Sequence, residues 1–599
     1  MAPDGPLQVA RAGRVLTVPM GRGASAVISA LSPNAAPDRE DDRARDHDRA
    51  HLGAIVLTGD ADDWSAVAQD EPEFGALLEE CPFPVVAALE GAFGGAAAEL
   101  ILAAHYRLAS PTATVRLPAL RSGDAPSLGA TQRLPRLAGA AVARRLLEEG
   151  RPVDAPEAAR LGVIDGVARG NVAAAAASLA RRLIAAGAGP RPVGGRGIPS
   201  GQVDRPCAAF RRRAPAAASA LDACFEAARS RPIAEGLALE RAYSDELLTG
   251  REASALRHLA RAAASEAAVP AGATRPRPVD RIAVLGLETA LSVHPSALVS
   301  ALISKGCDVT LAGPNRTALM AARASLPAGA AAPRGLLFGE EAPADLLLRV
   351  AGPTLFAQFG DGPQIALRLA GVGAQPTLLE IGPAEPDAQT ALAVLAARSG
   401  LTVSSPATEP MQAALATAVG RLLEDGMTPV ALDRAAEAAG FGAGPCAVLD
   451  ALGFGVETAA PTTDPRMRPD SVAAQLRRAG RTGRRDGAGF HSYPDPFGPP
   501  RRAEEAEAAA RAAWVAAGRP DPVDAADVAP RLILALALAA RASAAPATAL
   551  DLAAVEGLGF PAALGGPVHW LATEGEDAVR AEVERRAAQD DAAYWRWTG

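Results

Sequence analysis

Two apolar runs near the N-terminus, "AIVLTG" at 54–59 and "PVVAALEG" at 84–91, constrain the fold more than anything else in the chain. Each is short and closed by a glycine, which is the pattern of a buried strand. Residues 1–190 alternate such runs with helical patterns, so an α/β architecture is expected. At 599 residues the chain exceeds one hydrophobic core, and several domains follow. The stretch "PNAAPDREDDRARDHDRAH" (33–51) mixes both charges with two prolines and reads as a solvated loop; a recognition loop is the alternative.

Composition removes several function classes. A net charge of −8 is mild for this length and argues against a nucleic-acid partner. Arginine carries nearly all the positive charge, and Lys305 is the only lysine. The five cysteines (Cys81, Cys207, Cys224, Cys307, Cys446) are scattered without C-x-x-C spacing. That suits reduced thiols, not a disulfide framework or a metal centre. The N-terminus shows no apolar h-region. "LILALALAA" (532–540) stops at Arg541, well short of the ~20 residues a bilayer span needs. It reads as a buried helix. A cytoplasmic protein without an integral membrane segment is expected.

Pro/Gly-rich stretches divide the chain. "PRPVGGRGIPSGQV" (190–203) and "VPAGATRPRPVD" (269–280) read as linkers around a helical region that includes 228–264. A βα pattern begins at Ile282 and fades near 405. The remainder is helical, broken by the loop "RTGRRDGAGFHSYPDPFGPPRR" (481–502).

The segment "GAFGGAAAELILAAHYRLAS" (91–110) carries the first chemistry. A Gly-rich turn opens a helix, and Glu99 lies about one turn inside it. Backbone N–H groups at a helix start are unpaired. They stabilise a developing negative charge, such as an enolate oxygen on a thioester, by roughly 3–4 kcal/mol per donor. A second donor is expected from the loop after the first strand, in "DADDWSAVAQD" (60–70). The structural alternative is a Gly turn before a buried helix, with Glu99 as a helix-dipole partner.

Together, "AIVLTG", "PVVAALEGAFGGAAAELILAAHYRLAS", "LGATQRLPRLAG" and "GRPVDAPEAARLGVIDGV" resemble the enoyl-CoA hydratase/isomerase (crotonase) family in order and spacing over roughly 55–170. The resemblance assigns Glu99 to the first of the family's two catalytic glutamates. It assigns Ala96 and Ala68 to the two oxyanion N–H donors. The second glutamate is replaced by Ala119, and Asp124 is the nearby carboxylate that could substitute. Water addition to a conjugated thioester divides proton transfers between two carboxyl groups, and losing one costs about 10²–10⁴-fold.

Further along, "EGLALERAYSDELL" and "REASALRHL" resemble the connecting helix of multifunctional β-oxidation enzymes. "AAEAAGFGAGPCAVLDALGFGV", "LRRAGRTGRRDGAGFHSY" and "VEGLGFPAALGGPVHWL" resemble their 3-hydroxyacyl-CoA dehydrogenase domains. The NAD fingerprint in that frame is altered. In "RIAVLGLETALSVH" only Gly286 remains of three glycines; Glu288 and Leu291 occupy the other positions. A carboxylate ~4 Å from a phosphate repels it by roughly 4 kcal/mol at an effective dielectric near 20. The ribose-binding aspartate is replaced by Gly313. The resemblance places Glu380 on the glutamate that orients the catalytic histidine. Arg368 stands at the histidine position and Met411 at the substrate-binding asparagine. Arginine stays protonated and cannot accept a proton.

The expectation is an α/β protein. Residues 1–190 form a crotonase-like ββα spiral and 191–279 a linker with a connecting helix. Residues 280–405 form a reduced Rossmann-type domain, with all-α dehydrogenase units at 406–500 and 501–599. The resemblance implies a fatty acid β-oxidation multifunctional protein that binds acyl-CoA or enoyl-CoA thioesters. Hydratase or isomerase chemistry would run through Glu99 with the oxyanion donors Ala68 and Ala96. No cofactor is required beyond the coenzyme A carried by the substrate, and neither NAD nor a metal is expected to bind. The alternative is a catalytically silent scaffold or regulatory subunit, pairing with a thiolase or an active homologue. A third reading is that the altered middle region aligns differently and a shifted active site exists.

Overall fold

The computed structural model describes residues 9–21, 24–29, 51–118, 120–199, 207–270, 272–273, 279–287, 290, 292–327, 332–338, 344–351, 354–359, 362–372, 374–453, 471–519, 521–589 and 595. Most of the charged stretch 33–51, together with Ala119, Glu288 and Leu291, lies outside them. The chain forms two compact units, Met1–Ser254 and Ala255–Gly599. The division falls inside the helix Arg251–Glu266 rather than at either Pro/Gly stretch.

The first unit holds a six-stranded sheet of order β1-β2-β3-β4-β6-β9. Its strands are β1 (Ala10–Ala12), β2 (Val15–Pro19), β3 (Ala54–Thr58), β4 (Val85–Leu89), β6 (Tyr106–Ala109) and β9 (Gly166–Val167). All pairings are parallel except β1 with β2. The two apolar runs are β3 and β4 at its centre, buried almost throughout, as parallel strands covered on both faces must be. A second sheet joins β5 (Ala92–Gly94), β7 (Thr114–Arg116) and β8 (Val153–Asp154).

Five helices matter to the site in this unit: α1 (Ala61–Asp70), α2 (Gly95–Leu100), α3 (Ala130–Ala138), α5 (Pro215–Ser230) and α6 (Ile233–Thr249). Between α3 and α5, α4 (Val172–Ala185) lays Val172, Ala176 and Ala180 on Val56, Val86 and Ala88 of the sheet. That i, i+4, i+8 spacing gives one apolar stripe. Burying each valine stabilises the fold by about 1.5–3 kcal/mol.

The second unit holds an eight-stranded sheet of order β12-β11-β10-β13-β14-β15-β16-β17. Strands β10 (Arg281–Leu285), β11 (Asp308–Gly313), β12 (Gly335–Phe338) and β13 (Leu346–Ala351) run parallel, in the order of a mononucleotide-binding half. Residues 339–345 alone join β12 to β13. A parallel crossover through a helix takes a dozen or more residues, more than this connection contains. Strands β14 (Thr354–Gln358), β15 (Ile365–Ala370) and β16 (Leu378–Ile381) then pair antiparallel, and β17 (Thr402–Ser404) runs parallel to β16.

Beyond β17 the unit is helical. It includes α7 (Thr408–Glu424), α8 (Pro429–Ala438), α9 (Pro445–Leu452) and α10 (Ala525–Arg541). The run "LILALALAA" is the second half of α10, with Leu532, Leu534 and Leu536 buried. No helix among the described residues is long and apolar enough to cross a membrane. All five cysteines are free thiols.

Candidate active site

The Gly-rich turn builds the start of α2. Gly94 is extended at φ −133°, and Gly95 begins the helix at φ +53°, a left-handed value that favours glycine. A Cβ added at Gly91, Gly94 or Gly95 would meet no heavy atom within 4 Å. The helix start therefore faces open space. Ala96 sits half-buried in its first turn, where amides have no helical acceptor.

Glu99 lies one turn further and is only 2% exposed. Its carboxylate reaches the turn before α3. Oε2 accepts from the amides of Ser127 (3.1 Å), Leu128 (3.0 Å) and Ala130 (3.4 Å). Burial pushes its pKa up to about 8; the nearby Glu240 carboxylate raises it further, and the three amides pull it down.

Ala68 does not sit as the resemblance implies. The stretch 60–70, expected as a loop, is the helix α1 with Ala68 inside it. At that position the N–H belongs to the helical hydrogen-bond ladder. The cause is local. Asp60 accepts from the amides of Asp62 and Asp63 at 2.9 Å, while its own amide donates to Asp63 Oδ2 at 3.2 Å. This capping box starts the helix, and Trp64, Val67 and Ala68 bury one face of it. Trp64 meets Phe93 of the glycine turn edge-on at 6.3 Å. The structure brings Glu99 and Ala96 together on α2 but gives Ala68 no free amide.

Asp124 is exposed, while Ala119 is outside the described residues. The second buried carboxylate beside Glu99 is Glu240 on α6, 2% exposed. Glu240 accepts from the amides of Gly129 and Thr131 (the latter 2.7 Å) and from the Thr131 hydroxyl. It lies within "EGLALERAYSDELL", where no local pattern marks it out. More than a hundred residues separate it from its partners, and only the buried spacing Gly236, Glu240, Ser244 points inward.

In the second unit, Gly286 closes β10 at φ +76°. Gly313 ends β11, and a Cβ there would stand 3.3 Å from Leu319 Cγ. Arg368 pairs with Glu409 at 3.6 Å and donates to Gln412 at 3.1 Å. Glu380 accepts from the amides of Ala407 (2.8 Å) and Thr408 (2.6 Å) and from the Thr408 hydroxyl (2.7 Å). Met411 is fully buried. Among the described residues, no cluster of His, Cys, Asp or Glu could hold a metal ion.

Residues 62–189 match the enoyl-CoA hydratase/isomerase family, and residues 407–493 match the 3-hydroxyacyl-CoA dehydrogenase C-terminal domain. The two matched regions lie in one chain, the hydratase/isomerase region first and the dehydrogenase region second. The fusion is similar to the peroxisomal bifunctional enzyme of Danio rerio, 33% identical over 226 residues, or 34% of this chain and 30% of that protein. It is also similar to a peroxisomal fatty acid beta-oxidation multifunctional protein of Arabidopsis thaliana, 44% identical over 91 residues, or 15% of this chain and 13% of that protein. The match thus spans less than a third of either relative. Among solved structures, an enoyl-CoA hydratase/isomerase from Pseudoalteromonas atlantica is 20% identical, with a TM-score of 0.28, covering 45% of this chain and 99% of that chain.

Proposed function

We propose that the fusion binds acyl-CoA or enoyl-CoA thioesters, that its hydratase half works through Glu99, and that its dehydrogenase half does not oxidise substrates with NAD. The observation that carries the first part is the Glu99 carboxyl, buried one turn inside a helix whose start opens onto space, with a pKa pushed up to about 8. Near neutral pH such a group holds a proton it can give and take back. Hydration needs one O–H bond of water broken, the oxygen joined to the β-carbon, and a proton delivered to the α-carbon. A single carboxyl serves if it delivers the proton it holds to the α-carbon and takes one from the water whose oxygen joins the β-carbon, ending protonated as it began. The first-turn amide of Ala96 is the donor available to the thioester oxygen as charge develops there.

The described residues of the dehydrogenase half do not fit NAD. Gly313 offers no side-chain acceptor for a ribose, and Leu319 crowds the space a carboxylate would need. The proton acceptor's place holds Arg368, and Glu380 is committed to the start of α7. Among substrates carrying coenzyme A, those needing only acid–base chemistry are therefore favoured.

The test is turnover of crotonyl-CoA by the full chain, with and without NAD, alongside calorimetry with the same thioester. Slow hydration independent of NAD is expected. Binding without turnover would favour a silent subunit partnering a thiolase or an active homologue. That reading draws on the engagement of Glu99 by three backbone amides. No binding at all would sink the proposal.

A further inference from the structure

The turn from Ser127 to Thr131 deals its amides to two buried carboxylates in near alternation. Ser127, Leu128 and Ala130 donate to Glu99; Gly129 and Thr131 donate to Glu240. The carboxylates come from opposite sides of the unit's sequence, one on α2 and one on α6, and each is 2% exposed. Together they serve the unpaired N–H groups that open α3.

Helix α6 is placed for this by a close approach. Its inward face is Gly236, Glu240 and Ser244, spaced i, i+4, i+8. At Gly236 a Cβ would lie 2.1 Å from Gln132 Oε1, so any larger residue would have to push the Gln132 side chain aside. Gln132 in turn donates to Thr131 Oγ1 (3.1 Å) and to the Cys224 carbonyl (2.9 Å). One turn after Gly236, Glu240 arrives at the amides. Beside it lies a small cavity, about 10 Å³ open to the centre of a water molecule, lined in part by Thr131, Cys224, Glu240 and Ser244. The Ser244 hydroxyl is buried there without a hydrogen-bond partner.

We propose that Glu240 is a positioning residue for the Glu99 site: by taking the alternate amides of the shared turn, it fixes where the Glu99 carboxyl sits and governs its charge. The inference rests on Glu99 being the acid–base group proposed above. Two carboxylates held on one turn repel each other, so ionising one disfavours ionising the other. Among the described residues, Arg133 and Cys224 also act on the pair. Arg133 on α3 favours the Glu240 anion, and Arg133 is itself bonded to Glu79 at 3.1 Å. The Cys224 thiol on α5 is pushed up to about 12 by burial and by Glu240.

The experiment is carboxyl-carbon NMR titration of Glu99 in the full chain, assigned by loss of its signal in Glu99→Gln. In Glu240→Gln, removal of the neighbouring charge lowers the Glu99 midpoint by ~1 pH unit or more. Glu240→Asp, which keeps the charge, leaves it high. Thr131→Val withdraws a donor from Glu240, makes that carboxylate harder to ionise, and moves Glu99 in the same downward direction. It also serves if Glu240→Gln does not fold. An unchanged Glu99 midpoint in the folded Glu240→Gln or Thr131→Val protein overturns the proposal and leaves Glu240 a structural cap. Crotonyl-CoA turnover is read separately. Its absence in the unaltered chain would sink the proposed function while the titration still reports the coupling.

Discussion

Arg368 and Glu380 stand directly opposite each other in the antiparallel pairing of β15 with β16, yet each bonds to the start of α7 instead. Paired positions on neighbouring antiparallel strands share a face of the sheet. This is the relation a proton acceptor and its orienting glutamate would need. Here the basic partner is a guanidinium, which carries five donors and no acceptor. The glutamate holds a helix start in place. Between them, Arg368 and Glu380 tie both strands to the start of α7.

Calorimetry with NAD should accordingly show no micromolar affinity. Gly313→Asp should not restore it, because the new side chain would press on Leu319 and would leave Arg368 and Met411 in place. A micromolar dissociation constant for the unaltered chain would contradict this.

Glu99→Gln should cut crotonyl-CoA hydration by about 10²-fold or more. Thioester affinity should change little, because the carboxyl acts on the reacting carbons and not on the coenzyme. Equal losses in turnover and binding, read by steady-state kinetics and calorimetry, would instead mean that the turn before α3 had collapsed.

Restoring a second carboxylate with Ala119→Glu should raise hydration, by up to ~10²–10⁴-fold where geometry allows. The informative failure is a folded, thioester-binding Ala119→Glu protein with no gain. With Ala68 inside α1, the oxyanion site would then be one donor short.

Stability should depend on pH through Glu99. Its folded pKa, about 8, lies above its ordinary value of 4.5, so the folded state binds the proton more tightly. The stabilisation is fully present below about pH 4.5 and is lost as pH rises through about 8. Urea melts across that window should show falling stability that Glu99→Gln flattens.

Gly236→Ala should destabilise the first unit by about 1–3 kcal/mol, the usual cost of overpacking, because its Cβ would overlap the Gln132 amide. Thermal melts of the two proteins measure this. An unchanged midpoint would mean that α6 shifts without cost.

Glu99, the glycine turn and the central strands were legible because each is a local pattern: an apolar run, a glycine needing positive φ, a carboxylate one turn into a helix. The helix over 60–70 left a signal too, since Asp60 and Asp63 have capping-box spacing. The family's loop at that place overrode it. Glu240 was not legible. Nothing local distinguishes it from the other acidic residues of α6, and its partners lie at Gly129 and Thr131. The commitment of Glu380 to α7 was hidden for the same reason, since register across a sheet and the start of a distant helix decide it.

The hold of α6 on the turn before α3 bears on how such a fusion could arise or be divided. A gene split or recombined at the Pro/Gly stretch near residue 190 would separate Gly129 and Thr131 from Glu240, the carboxylate that accepts from their amides. It would also leave Gln132 facing solvent where Gly236 now lies. The inheritable module is longer than the hydratase motifs suggest, and a break that spares it must fall after α6. Gene fission at this joint, or a swap of the front half between relatives, must carry α6 along with the glutamate it serves.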